Sequence, residues 1–380
     1  MKKNSVLAVA AVLAVCVGVF FSGCDFFGNK KQVETIKIGA ILPLTGSSAV
    51  IGEPKKRALD IAFEEYNGHN NINIKILFED SQGTPKDGVS AFQKLLNDKT
   101  IRYYYIDLTT VVNSAIPLTN RNKVITFAGS AEPEITNQSD YLFRLFAGGD
   151  QEIQLMVDEL KNENVDNIFV LHTDELYGIN AYKFLEKEFT KRGGKILGHE
   201  EYPMNNTDFK AILLKAKSPN PQKIVLLGYG NEYAPLLKQA IELSINPSDL
   251  VCNLGGSGKS VIELPSNFTE GLTFIGPRFT YLMMNDQLKP EMEAFVNSYK
   301  NKYNELPDFR AAYTYDVIKI LMSVWSEHKE DVNDMNKIRS YLTSIKDFKG
   351  ASGNITFLSN GDTQTDLIIA KYQEGMVVLK

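Results

Sequence analysis

Few side chains in this sequence have the type and spacing needed for bond-making chemistry. The four histidines, at 69, 172, 199 and 328, include no close pair, so the spacing offers no metal site. No Gly-x-Ser-x-Gly elbow, His-Glu-x-x-His pair or Cys–His couple occurs, and an enzyme is not expected. Gly255-Gly256-Ser257-Gly258-Lys259-Ser260 ends like a phosphate loop, but the glycine required five places before Gly258 is replaced by Asn253. A flexible loop at a cleft or surface is the better account. Cys252 follows the strand-like Leu250-Val251 and reads as a small buried apolar group, not a nucleophile. Neither a cofactor nor a metal is implied.

Binding chemistry is better represented. Short loops at Pro43 to Gly52, Asp80 to Lys86, Asp107 to Thr110, Ala128 to Glu134, Thr173 to Gly178, Gly228 to Glu232 and Gly255 to Lys259 are rich in Gly, Ser, Thr and acids. Such loops offer N–H and hydroxyl groups to a small polar solute. The first six follow short apolar runs of strand length, Ile36 to Leu42, Ile72 to Phe78, Ile101 to Ile106, Val124 to Phe127, Ile168 to Leu171 and Ile224 to Leu227; the seventh follows the strand-like Leu250-Val251, and a further run lies at Leu272 to Ile275. Between most of these runs lie segments of helical spacing, such as Lys55 to Tyr66 and Tyr233 to Leu243. Repeated strand–loop–helix units predict an α/β fold with parallel sheets, in which ligands sit beyond the carboxyl ends of the strands. After Pro277 the alternation gives way to helical patterns at Leu288 to Tyr303, Ala311 to Trp325 and Met335 to Ser344, then strand-like segments at Asn354 to Phe357, Leu367 to Tyr372 and Met376 to Leu379.

Several tempting features read more simply as structure. Tyr103-Tyr104-Tyr105 should pack on both faces of a strand, Trp325 should lie in a core helix, and Asp174-Glu175 should be solvated loop carboxylates or a hinge contact. A hydrophobic fraction of 43% with 23% charged residues excludes a disordered chain, and a net charge of -5 argues against nucleic acid as a partner.

Lys2 and Lys3 precede the apolar run Val6 to Phe21, which ends in Ser22-Gly23-Cys24. As a helix it spans about 24 Å, short of the roughly 30 Å hydrocarbon layer, so a cleaved export signal is expected rather than a membrane span. Phe21-Ser22-Gly23-Cys24 resembles a bacterial lipoprotein box, with Phe21 in place of the usual Leu. The resemblance implies cleavage after residue 23, a lipid on Cys24 and a tether over 24–34, holding the protein at the periplasmic side of the cell membrane or the outer face of a Gram-positive one.

The order of the remaining pieces is similar to the type I periplasmic solute-binding proteins of branched-chain amino acid (Leu/Ile/Val) importers. The likeness rests on Ile36 to Gly46, Gly52 with Ala58, Glu79-Asp80-Ser81, Pro85-Lys86, Ala128-Gly129-Ser130-Ala131, Pro133 to Thr136, Tyr141 to Arg144, Leu176-Tyr177-Gly178, Asp208-Phe209 and Gly228-Tyr229 before Leu236 to Ala240. It implies two doubly wound, Rossmann-like parallel-sheet lobes joined by a three-strand hinge. Residues 35–147 and 277–351 would form lobe 1, and 148–276 and 352–380 lobe 2. Crossings are expected near Leu145 to Gly149, Ile275 to Phe279 and Gly350 to Asn354.

The same resemblance implies no catalysis. A monomer would close over its solute and present a surface to an ABC permease. A sensor subunit of the same fold is the alternative. The ligand site would draw on Leu108, Thr109, Gly129, Ser130, Ala131, Tyr177, Tyr229 and Glu232, with Thr109 and Ser130 as hydroxyl donors. The acid that pairs with an amino-acid ammonium in this family has no counterpart at Gly255 and Gly256, so Asp107, Glu132 or Glu232 would have to stand in. Otherwise the solute is an amide, urea, an aromatic acid or a small carboxylate rather than an amino acid.

Overall fold

The computed structural model describes residues 35–380; the expected signal peptide, Cys24 and the tether lie outside the described residues. The chain opens with β1 (Thr35–Leu42), α1 (Ala49–Tyr66), β2 (Asn73–Asp80), α2 (Pro85–Leu96), β3 (Ile101–Asp107), α3 (Thr109–Asn122), β4 (Ile125–Gly129) and β5 (Leu142–Arg144). These strands form one parallel sheet in the order β2-β1-β3-β4-β5. Helices cover both faces, which is why β1 can be a continuous buried run from Ile38 to Leu42. Tyr103 and Tyr105 enter the core on one face and Tyr104 the other, as strand alternation requires. Thr84 caps α2 by accepting the Asp87 N–H at 3.1 Å, with Pro85 in the first turn.

A second α/β unit follows: α4 (Gly149–Asn162), β6 (Asn167–Thr173), α5 (Leu176–Lys191), β7 (Lys195–Tyr202), α6 (Lys210–Lys217), β8 (Lys223–Leu227), α7 (Tyr233–Glu242), β9 (Leu250–Cys252), α8 (Lys259–Ile262) and β10 (Thr273–Pro277). The chain then runs through α9 (Arg278–Met284), α10 (Pro290–Tyr303), α11 (Phe309–Glu327), α12 (Met335–Ser344), β11 (Phe348–Lys349), β12 (Asn354–Phe357) and β13 (Thr363–Gln364), and ends with β14 (Leu367–Gln373) and β15 (Met376–Leu379). The second sheet is β15-β14-β10-β9-β8-β6-β7, parallel from β10 to β7 and antiparallel at β14 and β15. Helix α11 is buried along most of its length in the first lobe. Its Trp325 meets Tyr103 edge-on at 4.8 Å, a contact worth about 0.5–1.5 kcal/mol beyond area burial.

The third crossing falls later than the sequence suggests. Ile355 and Phe357 join the first lobe's core, and Phe357 packs edge-on against Phe143. Arg144 grips Asp362 with two hydrogen bonds, at 2.8 and 2.5 Å. Residues 354–364 therefore pack with lobe 1, and the chain crosses near Thr365-Asp366 rather than at 350–354. The polar character of the 358–366 stretch hides a strand pair whose apolar side chains are few but bulky.

Candidate functional site

The two lobes meet over a cavity whose walls come from both. From lobe 1, the loop after β3 supplies Asp107, Leu108 and Thr109, and the loop after β4 supplies Gly129 and Ala131. From lobe 2 come Tyr177 at the start of α5, Tyr229 after β8, and Leu254 and Gly255 after β9. These are the carboxyl ends of the parallel strands, as the sheet topology demands.

Leu108 has a φ of 71°, unusual for a residue with a Cβ, and it directs the chain from β3 straight into α3. Thr109 and its successors thus present first-turn N–H groups that no helical carbonyl can reach, a ready anion-binding end. Gly129 is dictated by packing, since a Cβ there would lie 2.3 Å from Asp107 Oδ1.

Asp107 is fully buried and pairs with Lys55 of α1. Burial pushes the Lys55 ammonium below its ordinary pKa, against the opposing pull of Asp107. Asp107 Oδ2 has no hydrogen-bond partner among the described residues. Arg310 of α11 also lines the cavity, donating to the Tyr229 carbonyl and, at 2.7 Å, to Asp308. Phe146, Phe309, Ile51 and the two tyrosines form the apolar part of the wall; Tyr177 and Tyr229 lie 5.3 Å apart.

A buried network fixes the lobe 2 wall. Tyr177 donates to Glu152 Oε2 at 3.0 Å, Asn253 donates to the Tyr177 hydroxyl at 2.5 Å, and Tyr233 donates to Asn253 Oδ1 at 2.7 Å. Glu152 also accepts the Leu254 N–H. Burial outweighs these bonds and raises the Glu152 carboxyl to about 7.

Six of the expected residues line the cavity: Leu108, Thr109, Gly129, Ala131, Tyr177 and Tyr229. Ser130 and Glu232 do not. Ser130 sits behind the wall, its hydroxyl 3.1 Å from that of Thr109 and accepting the Glu132 N–H. Glu232 turns back to accept the Tyr229 N–H at 2.8 Å, and burial raises its carboxyl above the usual range. Glu132 reaches across the rim to Asn180 at 2.8 Å. Among the three acids named as stand-ins, only Asp107 lines the cavity.

Lys55 and Arg310 were not anticipated. A signal existed for Lys55, which interrupts the apolar face Ile51, Ala58, Ala62 of α1. The glycine-rich segment at 254–257 is a buried turn at the cavity wall, not a flexible loop, and Lys259 beyond it pairs with Glu305 of lobe 1 at 2.7 Å. Cys252 is buried in the second core, and burial pushes its thiol pKa up. The histidine spacing also misled: strand pairing brings His172 and His199 within 3.2 Å.

A two-lobed α/β protein with an interlobe cavity and polar strand-end loops is built to enclose a small molecule. The family model described as periplasmic binding protein matches residues 35–376, and the chain belongs to that family. It is similar to a Leu/Ile/Val-binding protein homolog of Brucella melitensis, 26% identical over 96% of this chain and 99% of that relative. A leucine-binding protein of Thermotoga maritima superposes with a TM-score of 0.78 at 23% identity, covering 91% of this chain and 97% of that one. A solute-binding protein of Rhodopseudomonas palustris, in complex with 3,4-dihydroxybenzoic acid, superposes at 0.81 with 19% identity over 91% and 96%. The protein is a solute-binding protein of ABC-transporter type, not an enzyme. Its family implies a small-molecule ligand, a permease partner and an extracytoplasmic location. No helix among the described residues is long and apolar enough to cross a membrane.

Proposed function

We propose that this chain is the monomeric, lipid-anchored binding subunit of an ABC importer for a small amphipathic carboxylic acid, an α-amino acid foremost. The observation that carries the ligand class is the unpartnered Asp107 Oδ2 beside the cavity, with the open first turn of α3 next to it. The first suits an ammonium and the second a carboxylate. Phe146, Phe309, Tyr177 and Tyr229 would receive the side chain. Closure would be favoured by a ligand touching both lobes, because it binds the closed form better than the open one. The name of the Brucella relative supports an amino acid. The benzoate-type ligand of the Rhodopseudomonas protein marks the aromatic acid as the competitor.

Thermal unfolding against a panel of amino acids, amides and aromatic acids tests the reading. At about 100 times its dissociation constant a true ligand adds roughly 2.7 kcal/mol. A panel in which only acids lacking an amino group shift the transition would remove the amino-acid assignment. Anchoring is read from Cys24, outside the described residues; incorporation of labelled palmitate that survives Cys24→Ser would refute it.

A further inference from the structure

We infer that His172, His199 and Glu201 form a binding site for one late first-row divalent cation, of which Zn2+ best suits two imidazoles and a carboxylate. The triad lies on lobe 2, apart from the residues that line the cavity. In the parallel pair β6 and β7, His172 stands opposite Glu201 and Val170 opposite His199. His199 and Glu201, two residues apart on β7, therefore share the sheet face from which His172 projects. His172 Nε2 lies 3.2 Å from His199 Nδ1 and 3.9 Å from Glu201 Oε1, and one ligand atom from each of the three falls within 4.8 Å of the others. Ligand atoms at roughly 2.0–2.1 Å around a tetrahedral zinc are about 3.3 Å from one another. The imidazole pair is thus already at ligand spacing. Glu201, whose side chain is 52% exposed, needs only a rotamer adjustment to complete the set.

The orientation of His172 argues for a ligand role as well. Its Nδ1 is 3.0 Å from the Thr173 carbonyl oxygen. That oxygen can only accept, so Nδ1 carries the proton and Nε2 turns its lone pair toward His199 and Glu201. A backbone carbonyl holding the far nitrogen is the support that metal-bound imidazoles ordinarily have. His172 is fully buried. The Tyr182 ring lies nearly parallel to both imidazoles, 4.9 Å from His172 and 4.3 Å from His199, and keeps their planes aligned. His199 and Glu201 are exposed, which leaves an entry path and room for water as a fourth ligand.

The full chain, stripped with a chelator and titrated calorimetrically with Zn2+ at neutral pH, should take up one equivalent. The Co2+-loaded protein should show the intense visible bands of a tetrahedral site. His199→Ala and Glu201→Gln, both at exposed positions that leave the core intact, should each weaken Zn2+ binding by about tenfold or more. His69→Ala, on the other lobe, should leave it unchanged. Absence of saturable binding, or binding that persists undiminished in both triad variants, overturns the site and leaves the pair as a hydrogen bond between strands.

Discussion

Lys55 and Asp107 form an ion pair at the cavity wall whose side chains are only 3% and 0% exposed, and Asp107 commits one of its two oxygens to it. A buried pair at the cavity wall with a spare acceptor is poised to take a further cation. The pairing with Lys55 offsets part of the cost of burying the two groups.

Asp107→Asn should therefore cut affinity for an α-amino acid about 100-fold, roughly 2.7 kcal/mol, while changing affinity for an acid without an amino group only a few-fold. Calorimetric titration of both ligands makes the comparison. The variant also strands Lys55, at a cost of about 3–5 kcal/mol in stability. The double variant Lys55→Met/Asp107→Leu should recover most of that stability yet still fail to hold the amino acid. Equal losses for both ligand types in the double variant would assign Asp107 to the fold rather than to the ammonium.

The lobes are also tied by contacts that touch no cavity residue. Lys259 meets Glu305 at 2.7 Å, and Asn180 meets Glu132 at 2.8 Å. With side chains 36% and 41% exposed, the ion pair is screened and worth about 0.2–1 kcal/mol. Lys259→Ala should accordingly weaken ligand binding by less than about fivefold, through faster release. Adding Asn180→Ala should deepen the effect without lowering the unfolding midpoint of the ligand-free chain. Stopped-flow release rates check this; an unchanged rate in the double variant would mean that closure does not use these contacts.

Glu152 makes the fold sensitive to pH. Its carboxyl is raised from 4.5 to about 7 by burial, and across that window the folded chain keeps a proton that the unfolded chain has released. Raising the pH from about 4.5 to 7 should thus lower stability by up to about 3 kcal/mol through this group. Buried Asp316, raised to about 6, acts in the same direction. Glu152→Gln keeps an acceptor for the Leu254 N–H but cannot titrate, so urea unfolding at several pH values should show a shallower slope, with the Asp316 share left. Identical slopes in the two proteins would contradict the assignment.

How much of this could be read from residues alone depends on which link carries it. The lobes were legible because βα alternation is written in period: Ile38 to Leu42 can only be a strand buried on both faces, and the loop after it must face the strand ends. The loops that hold Thr109, Ala131, Tyr177 and Tyr229 were legible for the same reason, while the choice of those four residues within them came from the family resemblance. Lys55 and Arg310 were not, because they reach the cavity from helices, where inward direction depends on how α1 and α11 dock. Ser130 and Glu232 sit in the right loops but turn away, a choice made by local hydrogen bonds to Thr109 and to the Tyr229 N–H. The third crossing was misplaced because Arg144 and Asp362 bond across 218 positions, a pairing no local pattern announces. The same holds for His172 and His199, 27 positions apart, which meet only through strand register.

Leu108 carries the sharpest test of how the first-lobe wall is built. At an ordinary buried position Leu→Gly is worse than Leu→Ala by roughly 0.5–1 kcal/mol, because glycine loses more chain entropy on folding. At Leu108 the φ of 71° reverses the balance, since any Cβ costs about 1–2 kcal/mol in a left-handed conformation and glycine does not pay it. The position is held from both sides: the Leu108 N–H donates to the Gly129 carbonyl at 3.1 Å, and its carbonyl accepts the Val112 N–H at 2.8 Å. The backbone thus cannot relax without opening the β3–β4 edge or the first turn of α3. Both substitutions remove the same buried side chain, so the difference between them isolates the backbone term. Leu108→Gly should be as stable as Leu108→Ala or more so, by up to about 1 kcal/mol in urea unfolding. A Gly variant clearly less stable than the Ala variant would mean that this turn relaxes at no cost, and that the aim of the α3 N-terminus does not depend on strain at residue 108.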